Sequence, residues 1–438
     1  MTSTLAGPER PLSRDRDFLI FWLVQTLSVG GASFSYVAIP LLVLDSTGSV
    51  SQMGLLTGVS GAAGIVAGIF AGGLVDRVDR RRLLIWCDAV RAPLYALVPL
   101  VWWGGPQLWL LYVIMPLGSA VAMVFQVGYV SAVPSLVPAA RITQANGRLF
   151  ASYASAGVVG PMLAGGLSAL LGPAAAIGVD AATFAASALG LCLVRLRRPG
   201  PAPAAHPAGG GRDDPVGSAR ADAGGDRSTV GRRPVTGDLL VGARFLWRQP
   251  VLRALTGRLA LLTFLTFGLT DLYVYHLKQG LGRSDATVGY VLAVAALGTV
   301  AAALLVAPAR RRLGFGVCWI GSYAFAGTGV VLLAGTADAR TVAALAAVVV
   351  FGTSLAGICS LSLRQEITPD PLLGRVTSAF WTVHTAPGPL GAALFTAAAG
   401  HWGTARIFLL IGVGCLLVAG SAVATPIGRS RIRLPRQA

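Results

Sequence analysis

Gly73-Leu74-Val75-Asp76-Arg77-Val78-Asp79-Arg80-Arg81-Arg82 is a short charged island between two long apolar stretches, residues 51–75 and 83–104. Each flanking stretch is long enough to cross a hydrocarbon core of ~30 Å as a helix. The island carries four arginines and two aspartates, so it belongs in headgroups or water rather than in lipid. Gly73 permits close helix contact at the turn. Asp76 supplies an acceptor at the membrane boundary, suited to a helix N-terminus or a guanidinium. The stretch therefore reads as a helical hairpin in a bilayer.

The pattern repeats along the chain. Apolar runs occupy 18–43, 51–75, 83–104, 107–132, 144–171 and 174–194, then 254–277, 286–308, 314–335, 339–363, 374–399 and 404–424. They are continuous, without the alternation of a membrane β-strand. The expected fold is an all-α membrane protein with twelve transmembrane helices in two six-helix halves. Composition agrees. Of 438 residues, 12% are charged and 54% hydrophobic, against roughly 25% charged in a soluble domain. The 56 glycines suit closely packed membrane helices. Arg10, Arg14 and Arg16 lead straight into the first apolar run without a small-residue cleavage motif, so that run is expected to stay as the first helix.

Residues 197–247 interrupt the series. They are rich in Gly, Pro, Ala, Arg and Asp, lack apolar periodicity, and read as a flexible cytoplasmic linker between residues 1–196 and 248–438. Its end, around Val241–Arg253, has the composition of a short amphipathic surface helix, with Phe245, Leu246 and Trp247 beside Arg244 and Arg248. The net charge of +17 lies in alternate loops, including 77–82, 141–148, 195–253, 310–312, 364–375 and 429–436. Lys278, Arg283, Arg340 and Arg406 are scattered exceptions. That distribution predicts an inner (plasma) membrane protein with both termini cytoplasmic, and it explains the charge without nucleic acid. Cys87, Cys192, Cys318, Cys359 and Cys415 lie in or beside apolar runs without CxxC spacing, so neither a metal site nor a disulfide framework is indicated. No cofactor is expected, and the absence of a phosphate loop, nucleophile motif or metal spacing argues against an enzyme.

The halves echo each other. Gly160-Pro161 has a counterpart at Gly388-Pro389, and Arg310-Arg311-Arg312 stands where Arg80-Arg81-Arg82 stands in the first half. Internal repeats of this kind build secondary transporters, with the substrate path between the halves.

The island at Gly73–Arg82 resembles the signature loop of the major facilitator superfamily, Gly-x-x-x-Asp-Arg-x-x-Arg followed by Arg or Lys. An arginine cluster alone would serve orientation; the glycine and aspartate at these spacings carry the resemblance. It implies a gating loop at Gly73, Asp76, Arg77, Arg80 and Arg81 that latches the halves in the outward-facing state, chiefly through the aspartate. Gly157, Gly160, Pro161, Gly165 and Gly166 resemble the antiporter motif of drug exporters, with Ala164 in place of one closing glycine. Pro161 removes a helix hydrogen bond, and the glycines let a neighbouring helix slide. Nearly all of the chain except the linker is similar to the branch holding macrolide exporters and the enterobactin exporter. The similarity runs from Arg16-Asp17-Phe18 through Pro40-Leu41-Leu42-Val43 and Asp180-Ala181-x-Thr183-Phe184 to Gly374-Arg375-Val376. The Arg310–Arg312 loop lacks an equivalent of Asp76, which implies a weaker second latch.

Ionisable residues at membrane depth are costly and mark function. Asp271, within Thr270-Asp271-Leu272-Tyr273-Val274-Tyr275-His276, ranks first as a proton carrier, and Asp180 second. Asp88 and Arg91 are three apart and share a helix face as an internal ion pair. His384 is a further titratable group, more often a hydrogen-bonded packing residue. Phe34, Tyr36, Phe125, Tyr129, Tyr273 and Trp381 suit an apolar, aromatic cavity for a bulky amphipathic ligand. The function expected is proton-coupled export of a small hydrophobic or amphipathic compound (antibiotic, drug or siderophore), with protons and the bilayer as the other partners. Proton-coupled uptake, or a non-transporting receptor or scaffold on the same fold, are the alternatives.

Overall fold

Asp15 accepts the backbone N–H of Phe18 at 3.2 Å and caps the first helix, α1 (Arg16–Thr47). Gly48 ends that helix in a left-handed conformation (φ 63°), its N–H bonded to the Leu44 carbonyl. α2 (Val50–Val75) follows at once. The computed structural model describes residues 15–75, 77–138, 141–194 and 235–429, together with Leu12. In the charged island, Asp79 accepts the N–H of Arg82 at 3.0 Å and starts α3 (Arg80–Trp102). α4 (Leu108–Ala132), α5 (Ile142–Leu171) and α6 (Pro173–Leu193) complete the first set. The second part contains α7 (Val235–Arg248), α8 (Pro250–Thr266), α9 (Leu269–Tyr275), α10 (Asp285–Leu333), α11 (Ala339–Ile367), α12 (Asp370–Thr385), α13 (Gly388–Trp402), α14 (Thr404–Ser421) and α15 (Pro426–Arg429).

Ten helical stretches among the described residues are long and apolar enough to span a membrane. One of them, α10, has 49 residues and is broken at Gly314 (φ 79°, ψ 172°). Straight, it would reach ~73 Å, more than twice a hydrocarbon core. Its two arms instead both pack along α11, Gly298 against Ala347 and Phe351, and Gly329 against Val348 and Val349. α12 and α13 form one more crossing in two pieces, each too short alone. The crossings are therefore twelve, as the apolar runs predict. α8, α9 and a π-helical turn at His276–Gly280 together make the seventh.

α1, α3, α5 and α6 pack among themselves with α2 and α4; α8 and α10 to α14 do the same. The repeat extends to backbone geometry. Gly172, between α5 and α6, has φ 84° and ψ 157°; Gly403, between α13 and α14, has φ 81° and ψ 155°. Both are conformations that favour glycine. The echo fails at one point. Pro161 lies inside continuous α5, whereas Gly388-Pro389 opens a new helix, because Pro387 and Pro389 remove two N–H donors within three residues.

The stretch read as a flexible linker is described only from residue 235, and from there it is helical. α7 starts before the expected surface helix and stops at Arg248; Pro250 begins α8. α7 packs against α12, and a Cβ on Gly242 would sit 2.1 Å from the Arg375 carbonyl oxygen. Leu246 is fully buried in the core and Phe245 packs beside it, while Val241, Arg244, Trp247 and Arg248 are exposed, so one face of this helix is held by apolar burial.

The basic end of the bundle, where Arg80–Arg82 and Arg310–Arg312 lie, is stapled within each half. Arg81 donates to the Leu191 (3.0 Å) and Cys192 carbonyls at the end of α6, and Arg310 pairs with Glu366 at 2.7 Å. The strong contacts between halves are α5 with the first arm of α10, and α2 with α13. Both lie toward the opposite end. Replacing Gly172 or Gly403 by alanine forces an L-residue into positive φ and is expected to cost about 1–2 kcal/mol. Gly257→Ala, in a helical site with no atom within 4 Å of the added methyl, is the control. Thermal unfolding in detergent should show a lower Tm for the first two and no loss for the third.

Candidate transport site

The break in the seventh crossing places its polar residues. α8 stops at Thr266, and Gly268 approaches the Ala392 backbone so closely that a Cβ would lie 2.9 Å from its Cα. The chain restarts as α9, which carries Thr270 and Asp271 to the seam between the halves. The Thr270 and Tyr36 hydroxyls hydrogen-bond at 2.8 Å, joining α9 to α1. Asp271 is 2% exposed, and its carboxyl lies beside Thr57 of α2. Its Oδ2 has no hydrogen-bond partner. It is a buried carboxyl in the seam, facing Thr57 of the opposite half.

Asp180 is placed differently. It is buried in the first half, where the Ser35 hydroxyl of α1 donates to it and Thr183 lies at 3.5 Å. Nearby on α3, Asp88 accepts the Ser187 hydroxyl at 2.5 Å and stands 3.8 Å from Arg91. The guanidinium of Arg91 lies over the Phe184 ring at 3.7 Å. The Asp88–Arg91 pair is thus present, and α6 adds Asp180, Phe184 and Ser187 to it, an assembly the helical spacing of Asp88 and Arg91 did not reveal.

Arg91 borders a cavity of about 210 Å³ within the first half, with Gln25, Gln126, Ser152, Phe125, Tyr129 and Phe184 among its walls. Of the six aromatic residues expected to line a cavity, Phe125 and Tyr129 line this one. Phe34 packs against the main core and Tyr36 serves the seam. Tyr273 is buried against Phe408 (6.0 Å), and exposed Trp381 lies beside His384 (4.9 Å). The six rings are thus divided among the first-half cavity, the seam and the packing of the two halves. Gln25, Gln126 and Arg91 were missed as wall residues; polar side chains within apolar runs were the available signal. His384 Nδ1 bonds the Phe380 carbonyl at 2.8 Å, as a packing histidine does.

The glycines of α5 divide in two. A Cβ on Gly160 would collide with Ser33 of α1, and one on Gly165 would lie 2.7 Å from Gly289 Cα of α10. The Pro161 carbonyl oxygen completes that contact, 2.3 Å from where a Gly289 Cβ would stand. Gly157 and Gly166 face open space, so the close helix approaches of this motif are made at Gly160, Pro161 and Gly165. In the loop after α2, Gly73 lies in the last turn of the helix and Arg77 is exposed. Arg80 donates to Ser135 at 3.0 Å, within its own half, as Arg81 does. Asp76 lies outside the described residues.

Residues 21–392 match the family model of the Major Facilitator Superfamily. The chain belongs to that superfamily. It is therefore a multi-pass membrane transporter of small-molecule substrates and not an enzyme. Among curated relatives, the multidrug efflux pump Tap of Mycolicibacterium fortuitum is 26% identical over 446 residues, covering 97% of each chain. The enterobactin exporter EntS of Escherichia coli O9:H4 (strain HS) is 25% identical over 432 residues, covering 92% of this chain and 91% of EntS. Solved superfamily folds align at lower identity. A bacterial homologue of the human lysosomal transporter Spinster, in an inward-facing occupied conformation, gives a TM-score of 0.69 at 15% identity over 96% of this chain and 98% of its own. The nucleoside transporter NupG gives 0.65 at 13% identity over 93% and 98%.

A leucine at Gly165 has no room beside Gly289, so Gly165→Leu should prevent α5 and α10 from closing and reduce transport at least about tenfold, a loss of only ~1.4 kcal/mol in a closure equilibrium. Gly157→Ala and Gly166→Ala add a methyl to open space and should retain transport. Substrate flux in vesicles, normalised to folded protein, checks all three.

Proposed function

We propose that this chain is a secondary active exporter of small hydrophobic or amphipathic compounds, driven by proton antiport through alternating access. The similarity to a multidrug efflux pump and to an enterobactin exporter supports the direction and the substrate class. The arginine distribution supports an inner-membrane position with both termini cytoplasmic, which makes the basic end the cytoplasmic one. Residues 1–196 and 248–438 are then the two moving halves, with 197–247 as the cytoplasmic connection. The closed seam lies on the outer side and the first-half cavity serves the inner-facing state.

The observation that carries the coupling is Asp271, buried in the seam with one oxygen unpaired. An unpaired carboxylate enclosed at membrane depth is costly, and the cost is relieved either by a proton or by water. A protonated Asp271 therefore suits a closed outer seam. Loss of its proton toward the cytoplasm, on substrate binding, disfavours that closure and drives the halves apart on the outer side. There the substrate leaves, a proton from outside rebinds, and the seam reseals. Protons move inward and substrate outward. Asp180, held by Ser35 and Thr183, has less need of a proton and serves as the second candidate. The latch role of Gly73, Asp76, Arg77, Arg80 and Arg81 belongs to the outward-facing state. The own-half bonds of Arg80 and Arg81 here are compatible with that latch being released.

In proteoliposomes with an imposed pH gradient and a panel of lipophilic drugs and siderophores, a transported compound should dissipate the gradient. Asp271→Asn should abolish that dissipation with the protein still folded. Undiminished proton movement in Asp271→Asn would overturn the assignment to this residue and move it to Asp180.

A further inference from the structure

The short segment from Thr270 to Lys278 supplies three successive contacts across the seam. Thr270 meets Tyr36, Asp271 meets Thr57, and beyond them Lys278 reaches α1 again. Lys278 stands in the π-helical turn His276–Gly280, whose wider winding alters the direction its side chains take relative to α9. Its Nζ lies 2.5 Å from Asp285, the first residue of α10, and 3.4 Å from Asp45, near the end of α1. Asp285 belongs to its own half; Asp45 belongs to the other. One ammonium thus sits between two carboxylates that come together only when this end of the bundle is closed.

We infer that Lys278 is the outer latch of the transporter, an electrostatic bridge between Asp45 and Asp285 that sets the balance between outer-closed and outer-open forms. The inference uses alternating access and the sidedness proposed above, but neither proton coupling nor the direction of transport. Its physical basis is a matter of sign. With Lys278 present, closing the seam brings an ammonium to a carboxylate of the opposite half. Without it, the same closure brings two carboxylates together with nothing between them. Position reinforces the assignment. The Lys278 and Asp45 side chains are 21% and 40% exposed, so the contact lies at the rim, where it can part without exposing the core. The Gly165–Gly289 contact directly supports it, because Asp285 begins the arm of α10 that α5 grips: a Cβ on Gly165 would lie 2.7 Å from the Asp285 carbonyl oxygen.

The sign also separates a latch from a packing lysine. Lys278→Gln should shift the equilibrium toward the outer-open form by about two- to five-fold, the range of a partly exposed ion pair. Adding Asp45→Asn to Lys278→Gln removes the repulsion and should return part of that shift. Asp45→Asn alone, which leaves Lys278 and Asp285 paired within their half, should give a smaller shift in the same direction. Ionic strength should act oppositely in the two backgrounds: salt screens attraction in the natural protein and opens the seam, but screens repulsion in Lys278→Gln and closes it.

The experiment is a spin-label distance measurement across the outer end, on full-length protein in lipid nanodiscs, with Gln107→Cys and Arg340→Cys as label sites. Cys192→Ser removes the one exposed native thiol among the described residues. The expected result is a larger long-distance population in Lys278→Gln, a partial return in the double variant, and reversed salt dependence. A distance distribution in Lys278→Gln identical to the natural protein, or a double variant no different from Lys278→Gln, overturns the latch. Asp45→Asn keeps the test decisive should Lys278→Gln not fold. No substrate or pH gradient is used, so this test can fail while antiport through Asp271 stands, and the reverse.

Discussion

The backbones of α5 and α10 meet at Gly165 and Gly289 with no side chain between them, and much of the arrangement depends on that contact. Lipid tails are as apolar as leucine, so helices in a bilayer gain little by hiding apolar side chains from lipid. Close backbone approach and the van der Waals contact it allows do more. Here that approach draws the two halves together at one end. It brings the start of α10, and so Asp285, up to the end of α1 and the π turn after α9. α2 and α13 make the parallel contact, where Gly58 lies against the Pro389 carbonyl. The seam is thus held by small residues at two places and decorated by polar ones between them.

Two ways of keeping a carboxylate inside a membrane protein stand side by side. In the first half, Asp88 and Asp180 are built into a network of hydroxyls with Arg91, itself laid over Phe184. These contacts join α1, α3 and α6 within one half, although Asp88 Oδ1 and Arg91 Nε have no hydrogen-bond partner of their own. At the seam, Asp271 lies beside Thr57 of the other half and has an oxygen without a partner. The first arrangement is internal to one half, and the second lies between the two.

The discontinuities of the second half give it a different character from the first. Phe267-Gly268 divides the seventh crossing, Ala386-Pro387 the eleventh, and the π turn follows α9. Each break frees backbone groups that cost several kcal/mol unless satisfied, so such breaks persist in membrane proteins only where neighbouring helices or a cavity receive them. These breaks adjoin the seam. Gly268 and Gly388 let the halves of the broken crossings nest, Gly268 against Ala392 and Gly388 against Phe267, so the hinge-like positions are themselves packed.

Sequence by itself determined the number and order of the crossings, the charged interfacial loops and the family, because these depend on run length, composition and local backbone chemistry. Asp271, Asp180 and the pair Asp88–Arg91 were also legible, since charge within an apolar run is conspicuous wherever it points. Only the tertiary structure decided which glycines of α5 meet a neighbour, that Asp271 faces Thr57 whereas Asp180 faces Ser35, that Phe125 and Tyr129 share a cavity with Arg91, and that Lys278 bridges the halves. The reason is physical. In water, an apolar stripe tells which face of a helix turns inward; in lipid nearly every face is apolar, and the inward face is chosen by contacts between residues far apart in the chain.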